Sequence, residues 1–144
     1  MDSFGDYFKE SMDAVHMPVP SGLFDTWQKA LVTSTALVNA IAKFGTKVTL
    51  AEILKSAPAA LPSAVYWQEV LFAVGGVSAA WYAGCLIGAT FYATQRSLGL
   101  DALSISNKIE DILNEARKSG IVLPDQVSLA IRQRSADRIK KTFA

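Results

Sequence analysis

The chain carries almost none of the side chains on which covalent, metal or acid–base chemistry is built. Among 144 residues there is one histidine, His16, and one cysteine, Cys85. A single imidazole and a single thiol exclude a disulfide framework, a Cys-x-x-Cys redox pair and a His/Cys metal cage. They also leave no Ser/His/Asp or Cys/His set. No Gly-x-Gly-x-x-Gly or P-loop pattern occurs, and the pair Gly75-Gly76 falls inside an apolar run with no strand before it. Glu110, Asp111 and Glu115 are interspersed with Lys108, Arg117 and Lys118. That is the pattern of a solvated helix face, not of paired catalytic carboxylates. Net charge is only +1, so bulk electrostatics do not point to nucleic acid. The start, MDSFGDYFKE, is acidic and lacks a basic stretch before an apolar core, so it does not read as a cleaved secretory signal. The expectation is a non-catalytic protein without metal or cofactor, made in the cytoplasm. Any export would use a route that needs no cleaved signal.

Charge is also missing from one long stretch, and the rest of the chain is organised around it. Val70–Ala93 holds 24 residues without a charged side chain. As a helix at ~1.5 Å per residue it would reach ~36 Å. A bilayer core requires ~20 apolar residues. Small residues recur at every fourth position, Gly76, Ala80, Gly84 and Gly88, which places them on one helix face. Ala79 and Ala83 widen that groove, while Leu71, Val74, Trp81, Leu86 and Phe91 make the other side bulky. Each glycine lowers helix propensity by ~1 kcal/mol, so close packing is expected to compensate. Two environments supply such packing. One is the centre of a water-soluble bundle; the other is a bilayer, where helices associate through a GxxxG-type face. Run length and spacing favour a membrane-inserting helix.

The flanking segments read as helices that sheath this one. Residues 1–20 form an amphipathic N-terminal segment, with Phe4, Tyr7, Phe8, Met12 and Val15 on one face of a helix over 3–15. Met17-Pro18-Val19-Pro20 breaks it. Residues 21–56 form a helical pair. Its first member is expected over Ser21–Phe44, capped by Ser21, with Asp25 in the first turn and Gly45 as the stop. Between Lys29 and Lys43 lie 13 uncharged residues, including Thr33, Ser34, Thr35 and Asn39. That length leaves open both a buried bundle helix and a second inserting segment. Thr49-x-x-Glu52 is a capping box for Leu50–Lys55. Residues 57–62 are a Pro-rich hinge built on Pro58 and Pro62. Residues 63–98 are the central helix, capped by Ser63, with Tyr66, Trp67 and Tyr92 where an interfacial aromatic belt would fall. Residues 99–144 carry the C-terminal helices: Asn107–Ser119, capped by Ser106 and stopped by Gly120, and Asp125–Thr142. The fold class is a single all-α domain, a compact bundle of about five or six helices. Charge is asymmetric, with a net of −3 in residues 1–20 and +3 in residues 125–144. The basic cluster Arg132, Arg134, Arg138, Lys140 and Lys141 suits anionic headgroups, an acidic partner or plain solvation.

The small-residue helix runs into Tyr92-Ala93-Thr94-Gln95-Arg96-Ser97-Leu98, followed by Ile109-x-x-Ile112-Leu113-x-x-Ala116-Arg117-x-x-Gly120. Over residues 66–124 this resembles small bacterial proteins that join a small-residue helix to A-T-x-x-S-L and I-x-D-V-L-x-x-A-R, among them pore-forming effectors of type VI secretion systems. The resemblance implies a toxin used in interbacterial competition. It would be loaded in the secretion tube's ring protein, act at the inner membrane of target cells and be blocked in the producer by a membrane immunity protein. Self-association would run through Gly76, Ala80, Gly84 and Gly88, and the pore would dissipate ion gradients. A non-catalytic helical adaptor or immunity-type binding protein, soluble or membrane-anchored, remains the alternative.

Overall fold

A computed structural model describes residues 4–19, 22–56, 67, 76–98 and 103–121. These form an all-α architecture of five helices: α1 Phe4–Ala14, α2 Trp27–Phe44, α3 Leu50–Ser56, α4 Ala79–Leu98 and α5 Leu103–Lys118. One isolated antiparallel bridge, Thr49 with Ser78, is the only extended pairing among the described residues. Helix α4 is the centre, and α1, α2 and α5 all pack on it. The Pro58/Pro62 hinge, the Ser63 cap and the Asp125–Thr142 helix with its basic cluster lie outside the described residues.

The sequence pattern of α1 buries one face, Phe4, Phe8 and Met12. Phe8 stacks on Phe24 with centroids 4.5 Å apart, so α1 and the segment before α2 close over each other. The helix ends in a left-handed residue, His16 at φ 57°. The amides of His16 and Met17 bond back to Asp13 and Met12 carbonyls, both at 3.0 Å, which is a Schellman closure with histidine in the position glycine usually takes. At the end of α5, Gly120 (φ 78°) makes the same closure, its amide on Arg117 and that of Ile121 on Ala116.

Three expected boundaries move. Helix α2 starts at Trp27, not Ser21, because Thr26 supplies the cap: its hydroxyl accepts from the Lys29 amide at 3.2 Å. Leu23 and Phe24 are instead buried in a non-helical approach, so Asp25 lies outside the first turn. Helix α5 begins at Leu103, four residues before the expected Asn107, and runs through Ser106 without stopping to be capped there. Thr49 caps α3 as expected, its hydroxyl accepting from the Glu52 amide at 3.2 Å, while the Glu52 carboxylate reaches back to that hydroxyl at 3.0 Å.

The third change is the largest. The expected continuous helix over residues 63–98 does not form. Gly76 lies in a turn, Val77 in a bend and Ser78 in the bridge, and α4 begins only at Ala79. The cause is local. The Ser78 hydroxyl caps the Trp81 amide at 3.4 Å, and the Ala79 amide bonds to the Val48 carbonyl at 2.9 Å rather than to the turn before it. Two adjacent glycines offer little helical preference to resist.

The two Schellman ends predict opposite responses. Gly120→Ala is expected to lower unfolding stability in urea by about 1–2 kcal/mol, since a Cβ is costly in the left-handed region. That Cβ would also sit 3.0 Å from the Thr46 methyl. His16→Gly is expected to raise stability by up to about 1 kcal/mol, the relief of strain being partly offset by chain entropy.

Candidate functional site: a fully sheathed small-residue helix

Among the described side chains of α4, every residue from Ala79 to Thr94 is buried except Trp81 and Tyr92, which are half-buried. At ~100° per residue these positions cover the whole circumference of a helix, not a stripe. Ala79, Ala80, Ala83, Gly84 and Gly88 are therefore all interior, covered by the same chain. Gly76 departs from the expected set. It is exposed, outside the helix, and a Cβ built on it meets no heavy atom within 4 Å. The small-residue row is thus Ala80, Gly84 and Gly88, flanked by Ala79 and Ala83.

An aromatic clasp fixes α1 to the C-terminal half of α4. Tyr7 meets Tyr92 edge-on at 6.4 Å. The Arg96 guanidinium lies over both rings, 5.3 Å from Tyr7 and 5.8 Å from Tyr92. The Tyr92 hydroxyl donates to the Glu10 carboxylate at 2.9 Å. Each cation–π contact is individually about 0.5–1 kcal/mol at a partly exposed site. At the other end the Tyr82 hydroxyl donates to the Pro18 carbonyl, and Trp67 packs edge-on against the Tyr82 ring at 6.1 Å. Trp67 is fully buried and Tyr92 is held by α1, so neither lies on an outward-facing aromatic belt in this state.

Hydroxyls are the other chemistry inside. Thr90, Thr94 and Ser97 recur on one side of α4, and each donates to the carbonyl four residues back, at 2.8, 2.7 and 2.6 Å. Thr33 of α2 does the same to Lys29 at 2.8 Å. Such hydroxyls find their hydrogen-bond acceptor within their own helix, so burial leaves no donor unpaired. Periodicity alone did not single out Thr90 or Thr94, because threonine in an apolar run reads as filler. Ser34 differs: its buried Oγ has no hydrogen-bond partner and faces Ile87, Thr90, Ile109 and Ile112.

Helices α2 and α5 run side by side in the same direction, since Trp27 faces Lys108 at one end and Thr46 approaches Gly120 at the other. Between them lies an open groove of about 750 Å³. Leu31, Val38 and Ile112 are apolar lining; Thr35, Asn39, Asp111 and Glu115 are its polar lining. Val32 is 62 % exposed beside it. Among the described residues no cluster of His, Cys, Asp or Glu is placed to hold a metal ion. Among them, too, no helix is long and apolar enough to cross a membrane.

An unpartnered buried hydroxyl costs about 1–3 kcal/mol. Ser34→Ala is therefore expected to raise unfolding stability by about 1 kcal/mol in urea titration, whereas Thr33→Ala, which removes a made bond, is not. Comparison with protein families, characterised proteins and solved structures finds no match for the chain.

Proposed function

We propose that the protein is a membrane-inserting, pore-forming antibacterial effector whose water-soluble form is this bundle. The observation that carries the reading is the burial of α4 on all sides. An amphipathic helix needs one apolar face to dock on a core; a helix that is apolar all round suits either a large protein interior or lipid. In a chain of 144 residues the first option consumes most of the remaining helices as cover. In a bilayer that cover is redundant, because lipid tails solvate the same surface. Helix contact there depends on close backbone approach, which Ala80, Gly84 and Gly88 permit. The ion leak would collapse membrane potential. Hydroxyls such as Thr90 and Thr94, satisfied within their own helix, tolerate both environments.

Delivery through a secretion tube's ring protein, action at the inner membrane of a target cell and neutralisation by a membrane immunity protein belong to this reading on the strength of the sequence resemblance. The test is dye and ion release from lipid vesicles by purified protein. Release is expected, and Gly88→Ile is expected to abolish it while circular dichroism confirms a folded variant. Undiminished release by that variant would contradict assembly through the small-residue row.

A second reading, a non-catalytic helix-binding adaptor or immunity-type protein, is favoured by the open apolar groove between α2 and α5. Expression directed to the periplasm or kept in the cytoplasm separates the two. A pore former harms cells from at least one side; an adaptor is harmless from both.

A further inference from the structure

As it stands, the part of α4 ahead of its polar end is too short to span. Ala79–Thr94, ahead of Gln95 and Arg96, is 16 residues. At ~1.5 Å per residue that is ~24 Å, against a hydrocarbon core of ~30 Å. The uncharged run extends nine residues further back, to Val70. A helix over Val70–Thr94 would have 25 residues and ~37 Å, enough to cross with some tilt. Of the nine residues between the two lengths, the described ones, Gly76–Ser78, are not helical.

That stretch is held open by a specific partner, the loop between α2 and α3. The Ala79 amide donates to the Val48 carbonyl at 2.9 Å, and the Ser78 hydroxyl donates to the Thr46 carbonyl at 3.3 Å. Thr49 and Ser78 face each other in the antiparallel bridge. The loop is itself anchored. The Gly45 amide bonds to Ile41 at 2.7 Å, Val48 is buried, and the Thr46 methyl lies against Gly120 at the end of α5. Thr49 caps α3, so the same residue that opposes Ser78 also begins the next helix. The pairing thus joins three elements, α2, α3 and the end of α5, to the first residue of α4.

We propose that the 45–49 loop is a latch: by capturing Ser78 and Ala79 it keeps the apolar part of α4 below bilayer length in water, and its release lets Gly76–Ser78 become helical and join a longer, spanning helix. This rests on the membrane-inserting reading. The physical reason is hydrogen bonding. In water the loop satisfies backbone groups at 78–79. Inside hydrocarbon, lipid-exposed non-helical backbone has no partner, so these residues must leave the loop and join a helix. Insertion and the bridge are therefore mutually exclusive.

Facing residues of an antiparallel pair lie within the Cα range of a disulfide, ~4.5–5.5 Å against ~4.4–6.8 Å. The double variant Thr49→Cys/Ser78→Cys, made in a Cys85→Ala background, locks the latch when oxidised. Two readouts are taken on vesicles of phosphatidylethanolamine and phosphatidylglycerol: dye release, and hydrogen-exchange protection of the Gly76–Ser78 amides. Reduced protein is expected to gain protection at these amides by about tenfold or more on vesicles. The oxidised form is expected to show neither that gain nor dye release, and reductant restores both. Equal protection gain, or equal release, in oxidised and reduced protein overturns the latch while leaving pore formation standing. Lock-sensitive protection without dye release from any form supports the latch and refutes the conducting pore. No protection gain in any form overturns the latch as well.

Discussion

Covering α4 on every side is the constraint from which the rest of the bundle follows. A single apolar stripe can be buried by one neighbour, but a helix with no polar face requires neighbours all round. Helix α1 supplies phenylalanine and methionine, while α2 and α5 each turn an apolar face inward. The fastening between cover and core is uneven. At the α1 seam the outer contacts are polar and partly exposed, an Arg96 guanidinium over two tyrosines and one hydroxyl–carboxylate bond. Such contacts are modest in water, so the seam is held mainly by Phe4, Phe8 and Met12 beneath it. That interior is apolar and gains no advantage over lipid. The closed sheath therefore depends on water outside it more than on bonds within it.

Much of this was legible in the chain. The absence of charge between Glu69 and Arg96 located the central segment, and 3.6-residue spacing located α1 and its buried residues. Thr49 and Glu52 announced the start of α3, and Gly45 and Gly120 marked helix ends. What was not legible was competition between equivalent signals. Ser21 and Thr26 both have cap-forming side chains, and the burial of Leu23 and Phe24, the latter stacked on Phe8 of α1, decides for the later one. The run from Val70 to Ala93 has no internal charge or proline to mark an interruption. The break at Ser78 is imposed by residues 46–49, some 30 positions away, through backbone groups that carry no sequence signature. Hydropathy therefore overestimated the helix and placed Gly76 on a face it does not occupy.

That interruption matters to function because it separates two properties that hydropathy merges, being apolar enough for lipid and being long enough to cross it. The described helix is buried on every side between Ala79 and Thr94 apart from half-buried Trp81 and Tyr92, and those 16 residues reach only ~24 Å before the polar Gln95 and Arg96. On the proposed membrane-inserting reading, this division is useful. Its apolar segment can be hidden by its own helices and also kept short, so partial exposure does not commit it to insertion. The small residues serve both states. In the bundle they are buried under the cover; in lipid they would let copies of α4 approach one another.

The central claim is that the cover around α4 belongs to the aqueous state alone. Its most direct test is the distance between spin labels on exposed sites of two covering helices, Asp13 on α1 and Asn114 on α5, in full-length protein. In water a single narrow distance distribution is expected. On vesicles to which the protein binds, that distribution should lengthen and broaden as α1 and α5 leave α4. An unchanged narrow distribution on bound vesicles would mean that the sheath never opens, and the account would be wrong.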